Sequence, residues 1–493
     1  MKSRRSGAAV PAPRQSPAVS TPRPGPTHLR RDAVLLFLGL WLLYGAGINK
    51  LNLQGYTLHP EVVMAIAEEG TFVIGHQEVP KENDRFLFDG NVLPAKQPWI
   101  FALGAAAYLP VRALGLTYDR DFFLAEAVIT WLTASLFAAV AAAAALVVAR
   151  RVWGFRRRDA LLAVLAGAAC TILLPYAGIP HHDVVATALL VLALAAFEVA
   201  RSDEAAGTSG KARRRLMASG LAGLFLGLML GFSMLPAAIA LGVIVAIAAT
   251  RNRSIVVPAA GGFVLGLLPL ALYNGHYFHT PFLQANLAGQ YDDTYPGFAP
   301  ERIVHHLNAY LGVGEVSILK YMPILLAGAA GLVLLAVRGR APGRLLLTLL
   351  LLHGMYLLAI PAIGYCQYGP RFLLPAVPLA AFGLAPLLEA LDRLQGGWRL
   401  AGAALVALLA LASLMVNLVG TVGGTMYCAI EEFAFPRYVA VLADPQAWTA
   451  IATQFPLLGF CSAGLLLLGV AGFGGVLLAR GRAASLDASV TGR

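Results

Sequence analysis

Charge is what this sequence has least of. Of its 493 residues only 13% are Asp, Glu, Lys or Arg, against roughly 25% in an ordinary soluble domain. So few ionisable groups cannot cover a chain of this length in water, which excludes a string of soluble domains. The strict residue-by-residue alternation of a membrane β-barrel, in segments of about ten, is also missing. What is present is apolar: 58% of residues are hydrophobic, in recurring runs rich in Ala, Leu and Gly. In lipid the backbone must satisfy its own hydrogen bonds, so runs of this length predict helices. The fold class expected is an all-α polytopic membrane protein.

The net charge of +11 does not point to nucleic acid, because the cations border the apolar runs. They cluster within residues 1–31, at Arg150 to Arg158, Arg201 to Arg215, Arg251 and Arg253, Arg338 to Arg344, Arg393 and Arg399, and in the C-terminal tail. That distribution is the positive-inside signature. It predicts a bacterial-type inner (plasma) membrane protein of the cell envelope with both termini in the cytoplasm. Residues 1–31, rich in Pro, Ser and Arg, read as a disordered basic tail. Residues 32–480 read as one transmembrane domain, and 481–493 as a second cytoplasmic tail.

Counting every apolar run as a span would put Arg150 to Arg158 outside. The conflict vanishes if Pro98 to Leu116 is an interfacial helix, which Trp99, Tyr108 and Arg112 suit. About 12 spans then follow, near 33–48, 122–149, 160–177, 184–200, 217–233, 235–250, 255–274, 317–337, 345–363, 372–390, 400–419 and 454–479. Three outer segments, 49–121, 275–316 and 420–453, exceed simple connectors and read as ordered. Most of the 26 acidic residues and eight of the 10 histidines fall on this outer side, so chemistry is expected there.

Five outer groups could carry it. The first segment holds Glu61 in His59-Pro60-Glu61, Asp89 in Phe-Asp-Gly-Asn, and Lys96-Gln97-Pro98-Trp99. A carboxylate near the surface can act as general base toward a hydroxyl. A lysine at headgroup level can pair with phosphate, or simply snorkel. After the third span comes His181-His182-Asp183, able to bind a divalent metal, bind phosphate, position a base, or cap the next helix. Asp292-Asp293 could bind a cation or merely form a turn. Tyr368-Gly369-Pro370-Arg371 puts an arginine where positive-inside does not explain it, so it either anchors or meets an anion. Of the four cysteines, Cys170 and Cys461 fall within spans as core thiols. Cys366 and Cys428 lie in outer loops where a disulfide between them is permitted.

In order along the chain, these features resemble the GT-C superfamily of membrane glycosyltransferases. The branch in question includes protein O-mannosyltransferases and lipid A aminoarabinose transferases. The resemblance covers about residues 33–390. It is carried by the long first outer loop with its early acid, Lys96-Gln97-Pro98 opening the interfacial helix, and His182-Asp183 at span four. A Gly-Leu-rich hairpin ending at Ser233-Met234, Asn274, Phe278, Pro281 and Phe282, and Tyr368-Gly-Pro-Arg371-Phe-Leu-Leu-Pro375 complete it. It departs in having one acid where the family commonly has an Asp-Glu pair, and Ser233-Met234 where a lysine is common.

The resemblance implies an inverting transfer of sugar from a polyprenyl-phosphate donor to an extracytoplasmic glycan, lipid or protein acceptor. Glu61 or Asp89 would be the base, and Lys96 and Arg371 the phosphate contacts. Gln97, His181, His182, Asp183, Asp292, Asp293 and Tyr368 would line the pocket. Two other readings compete. One is a transporter or flippase of a lipid-linked saccharide, although few charges lie within spans, Glu126 being the clearest. The other is a noncatalytic subunit that binds such a lipid.

Overall fold

A computed structural model describes residues 26–75, 84–206, 211–283, 299–314, 316–364, 367–423, 439, 443 and 453–471. It is mostly helical. After α1 (Pro26–Ala46), the first loop folds into two short helices, α2 (Lys50–Gln54) and α3 (Leu58–Met64). A two-stranded hairpin follows, β1 (Arg85–Phe88) with β2 (Asn91–Pro94), and then α4 (Trp99–Ala113). Next come α5 (Phe122–Val152), α6 (Arg157–Ala169), the single turn α7 (Leu173–Tyr176), α8 (His182–Ala205), α9 (Ala212–Leu230), α10 (Ala237–Ala249) and α11 (Arg253–Phe278). The last part holds α12 (Ile303–Leu311), α13 (Ile318–Tyr321), α14 (Ile324–Val337), α15 (Ala341–Ala359), α16 (Arg371–Leu391), α17 (Gly397–Gly423) and α18 (Leu458–Ala471).

Six of the described helices, α5, α8, α11, α15, α16 and α17, are long and apolar enough to cross a membrane. They divide by burial. In α8 and α16, 78% of the apolar window is buried inside the protein, against 22% in α11 and 17% in α17. A helix covered on all sides by protein is central, and one apolar but bare faces lipid. α8 and α16 are thus the axis of the bundle, and the start of α16 packs against α8.

Helix association in lipid depends on close backbone approach rather than hydrophobic expulsion. α9 and α11 meet in this way. Gly223 and Gly227 on α9 face Ala259 and Phe263 backbone atoms, while Gly262 and Gly266 on α11 face Gly220 and Leu224 backbone atoms. A side chain at any of these four positions would collide with main chain. Each pair is spaced by four residues, so both glycines lie on one helix face.

The sequence-based spans near 160–177 and 372–390 are not single regular helices. The first breaks at Cys170, giving α6 and α7. The second opens as a 3-10 turn over Arg371–Ala376, with Pro375 and Pro378 removing backbone donors. The region 98–116 is the separate helix α4, whose buried face is Ile100, Phe101, Gly104, Ala105, Tyr108 and Val111. The hairpin in the first loop was not foreseen. Asp89 and Gly90 form its two-residue turn, with φ of 47° and 77°, as the Asp-Gly pair favours.

At one end of the bundle the arginine clusters find acids. Arg157 holds Asp32 through two bonds of 2.6 and 2.7 Å. Arg156, Arg158 and Arg399 converge on Asp392. Arg201 and the Trp153 indole share Glu198. Arg214 and Lys211 share Asp203. The histidine cluster at the start of α8 lies at the opposite end, because α8 runs 24 residues, roughly 36 Å, between the two.

Candidate active site

The site is built where the two central helices begin. His181 caps α8, its Nδ1 accepting the Asp183 amide at 3.2 Å. That fixes the proton on Nε2, which donates to Gln367 Oε1 at 3.1 Å. His182 stacks on His181 with ring centroids 4.5 Å apart. Tyr56 and Tyr176 meet His181 edge-on, at 5.9 and 5.1 Å. The Ser233 hydroxyl donates to Asp183 Oδ1 at 2.6 Å, tying the end of α9 to the start of α8. Burial, with the neighbouring His182 ring, Arg371 and Lys96, drives the His181 pKa well below its ordinary value. The ring is therefore a neutral donor at physiological pH.

Arg371 is buried, at the head of α16, with its guanidinium 4.9 Å from the Phe372 ring centroid. It and Lys96 both lie within electrostatic reach of His181 and His182. Two helix N-termini, each the positive end of a peptide dipole, thus open on the same place as a lysine and an arginine. The carboxylates of Asp183 and Asp84 share this place with the two cations.

The donor set does not fit a resident divalent metal. One ligand atom from each of His181, His182 and Asp183 lies within 4.8 Å of the others. Both nitrogens of His181 are already engaged, however, and Asp183 Oδ1 accepts from Ser233. The two nearby cations would oppose a third.

The first loop brings a second group to this region. Lys96 Nζ lies 3.0 Å from Asp84 Oδ1. The neighbouring Arg85 pairs with Glu61 on α3. Asp84, Arg85 and Lys96 occupy the open end of the hairpin, where the Ala95 amide donates to the Asp84 carbonyl at 2.7 Å. Asp84 is held at a φ of +60°, a conformation that costs energy outside glycine. Asp89 sits at the closed end, on the order of 15 Å away at the rise of a β-strand. There its carboxylate pairs with His279 Nε2 at 2.7 Å. The open end of the hairpin therefore holds the partners of Glu61 and Lys96, Arg85 and Asp84, while Asp89 lies at the closed end.

Gln97 is buried beside Lys96. Two residues on, Trp99 donates its amide to the Gly231 carbonyl at 3.0 Å and lays its indole over Gly231, where a side chain would overlap the ring. Tyr368 is buried, its hydroxyl donating to the Val416 carbonyl at 2.5 Å and its own carbonyl accepting from Tyr176 at 2.9 Å. It builds the wall and offers no group to a ligand through its hydroxyl. Asp292, Asp293, Cys366 and Cys428 lie outside the described residues, and the disulfide expected between the last two lies there with them. Cys461 is buried and Cys170 half-buried, both as free thiols.

Sequence reasoning missed Asp84 and Arg85 as partners of Lys96 and Glu61. It also missed a buried triad beneath the first loop. Glu126 on α5 takes His59 Nδ1 at 2.6 Å on one oxygen and the Tyr118 hydroxyl at 2.6 Å on the other. All three are buried. Burial and then the Glu126 carboxylate push the Tyr118 phenol well above its usual pKa, so it stays protonated and donates. The signal in the sequence was Glu126 itself, an acid inside an apolar run.

No family model matches the sequence, and no curated protein does. Solved structures do. ArnT from Cupriavidus metallidurans bound to undecaprenyl phosphate aligns with a TM-score of 0.52 at 14% identity, over 90% of this chain and 78% of that one. The same protein in the apo state aligns with a TM-score of 0.52 at 16% identity, over 89% and 76%. The Archaeoglobus fulgidus oligosaccharyltransferase, tethered with an acceptor peptide, scores 0.49 at 13% identity, over 87% and 59%. The two alignments that score 0.52 show that this chain shares the fold of ArnT.

Proposed function

We propose that the protein is a membrane glycosyltransferase that moves a sugar from a polyprenyl-phosphate donor to an acceptor on the outer face of the membrane. The observation that carries this reading is the convergence of Lys96, Arg371 and the N-termini of α8 and α16 on one place. In such a transfer the phosphate leaves and gains negative charge as its bond to the sugar breaks. Cations already fixed in place stabilise that charge without reorganisation. The neutral Nε2–H of His181 orients Gln367 beside them.

The acceptor hydroxyl needs a base. Glu61 fits best, since Arg85 holds it at the end of the hairpin that carries Lys96. Asp89 is committed to the far turn and to His279. Attack by the acceptor opposite the departing phosphate inverts the sugar carbon, and Glu61 takes the acceptor proton. The fold it shares with ArnT bound to undecaprenyl phosphate supports the class of donor. Catalysis and sidedness go together in this reading: the arginine-rich end with both termini lies in the cytoplasm, and the site faces out.

The test uses purified full-length protein in nanodiscs. Glu61→Gln retains binding of undecaprenyl phosphate and loses transfer from a polyprenyl-phosphate-linked sugar. Arg371→Gln loses both. Full binding with no turnover by the wild type across sugar donors would instead make the chain a noncatalytic lipid-saccharide-binding subunit. Donor-dependent flux across a bilayer without transfer would make it a transporter.

A further inference from the structure

A large cavity lies not at the candidate active site but at the opposite, arginine-rich end. It measures about 1170 Å³ and opens where α1, α5 and the end of α8 splay apart. Its two halves differ in chemistry. The mouth carries Arg30, Arg150, Arg151, Lys211 and Arg214 against a single acid, Asp203. The wall running toward the bundle middle is apolar: Val34, Phe37, Val140, Ala143 and Val147.

Much of the charge is uncompensated. Asp203 is already shared by Arg214 and Lys211, and Arg150 donates to the Phe155 carbonyl. Nearby Asp32 is taken by Arg157. Among the described residues neither Arg30 nor Arg151 has an acidic partner, and both are exposed. Cations held together at the mouth of a greasy slot repel one another unless an anion joins them.

We infer that this cleft binds an anionic phospholipid, with the phosphate headgroup between Arg30, Arg151 and Lys211 and the acyl chains along Val34, Phe37 and Val140. Three observations favour that occupant. The volume exceeds the roughly 300–1,000 Å³ of pockets for small soluble ligands. The order of surfaces, cations then hydrocarbon toward the bundle middle, repeats the order of a lipid leaflet, and basic pockets between helices at this depth suit anionic headgroups. The five cations at the mouth outnumber its one acid, Asp203, which suits an anionic occupant. This site does not depend on the glycosyltransferase reading.

The experiment is lipid retention by the full-length protein, read by native mass spectrometry after exchange into vesicles of phosphatidylglycerol or phosphatidylcholine. Phosphatidylglycerol should be retained in preference, with the preference fading as salt rises. The Arg30→Gln/Arg151→Gln double variant should weaken its retention by about 30-fold at low salt, at roughly fivefold per surface cation. Val140→Trp should weaken retention of phosphatidylglycerol with no change in charge, since it fills the apolar wall. Arg338→Gln/Arg340→Gln, at the same end but outside the cleft, should leave it unchanged. Equal retention of the two lipids, an equal loss in the outside pair, or displacement of the lipid by inorganic phosphate at matched concentration would overturn the inference.

Discussion

Lys96 Nζ lies 3.0 Å from Asp84 Oδ1, two residues that the sequence separates by a whole β-hairpin. On the proposed reading Asp84 holds the lysine ready for a donor phosphate, which takes over its charge. Lys96→Met should therefore weaken undecaprenyl phosphate binding by about 10- to 100-fold, the worth of one charge-assisted hydrogen bond at about 1.5–3 kcal/mol. Asp84→Asn, which removes a competitor for the lysine, should tighten binding several-fold. Equilibrium binding of a fluorescent polyprenyl phosphate measures both. Loss of binding in Asp84→Asn would show the acid to be a ligand in its own right.

The Glu126–His59–Tyr118 triad holds the first loop onto α5. Breaking a buried polar pair by deleting one member costs about 3–5 kcal/mol, because the other stays buried without it. Glu126→Ala should lower the melting temperature sharply in detergent. Tyr118→Phe, which removes one bond and keeps the ring, should cost only about 1 kcal/mol. Equal effects of the two would mean that the carboxylate is not the hub.

Close approach of α9 to α11 gives a stability test with an internal control. Gly227→Val drives a side chain into the backbone of Phe263 to Leu267, whereas Gly261→Val on α11 meets nothing within 4 Å. The first should prevent recovery of folded, monodisperse protein. The second should behave as wild type in size-exclusion chromatography.

His181 predicts a pH dependence with a definite sign. Its folded pKa lies below the ordinary value, so the unfolded chain binds a proton there that the folded chain refuses. The stability tied to this residue is complete above about pH 6.5 and is lost as pH falls below it, by at most about 1.4 kcal/mol per unit. His181→Asn keeps an oxygen to cap α8 and should flatten the acid limb of a melting-temperature profile. A profile parallel to wild type between pH 5 and pH 7 would place the sensitivity elsewhere.

Other features were legible before any coordinates. The order of the helices, the folded first loop, the helix opening at Trp99 and the turn at His181-His182-Asp183 could all be placed from the chain. So could the placing of Lys96 and Arg371 beside the start of α8. The partners of the two loop acids were not legible. Glu61 and Asp89 look alike as loop acids, and only the hairpin register shows that Asp89 serves a turn. Nor was the bond from the Tyr368 hydroxyl to the Val416 carbonyl of α17 legible.

By itself the sequence determined that the chain lives in lipid, that it is helical, and that cations and titratable groups lie at opposite ends. Those properties depend on composition over windows of about twenty residues, which is a local quantity. Only the tertiary structure decided which acid meets which partner: Glu61 with Arg85, Asp84 with Lys96, Glu126 with His59, Asp203 with Arg214. Charges pair over a few ångströms of space, and which residues come that close is set by turns and helix crossings rather than by their spacing along the chain.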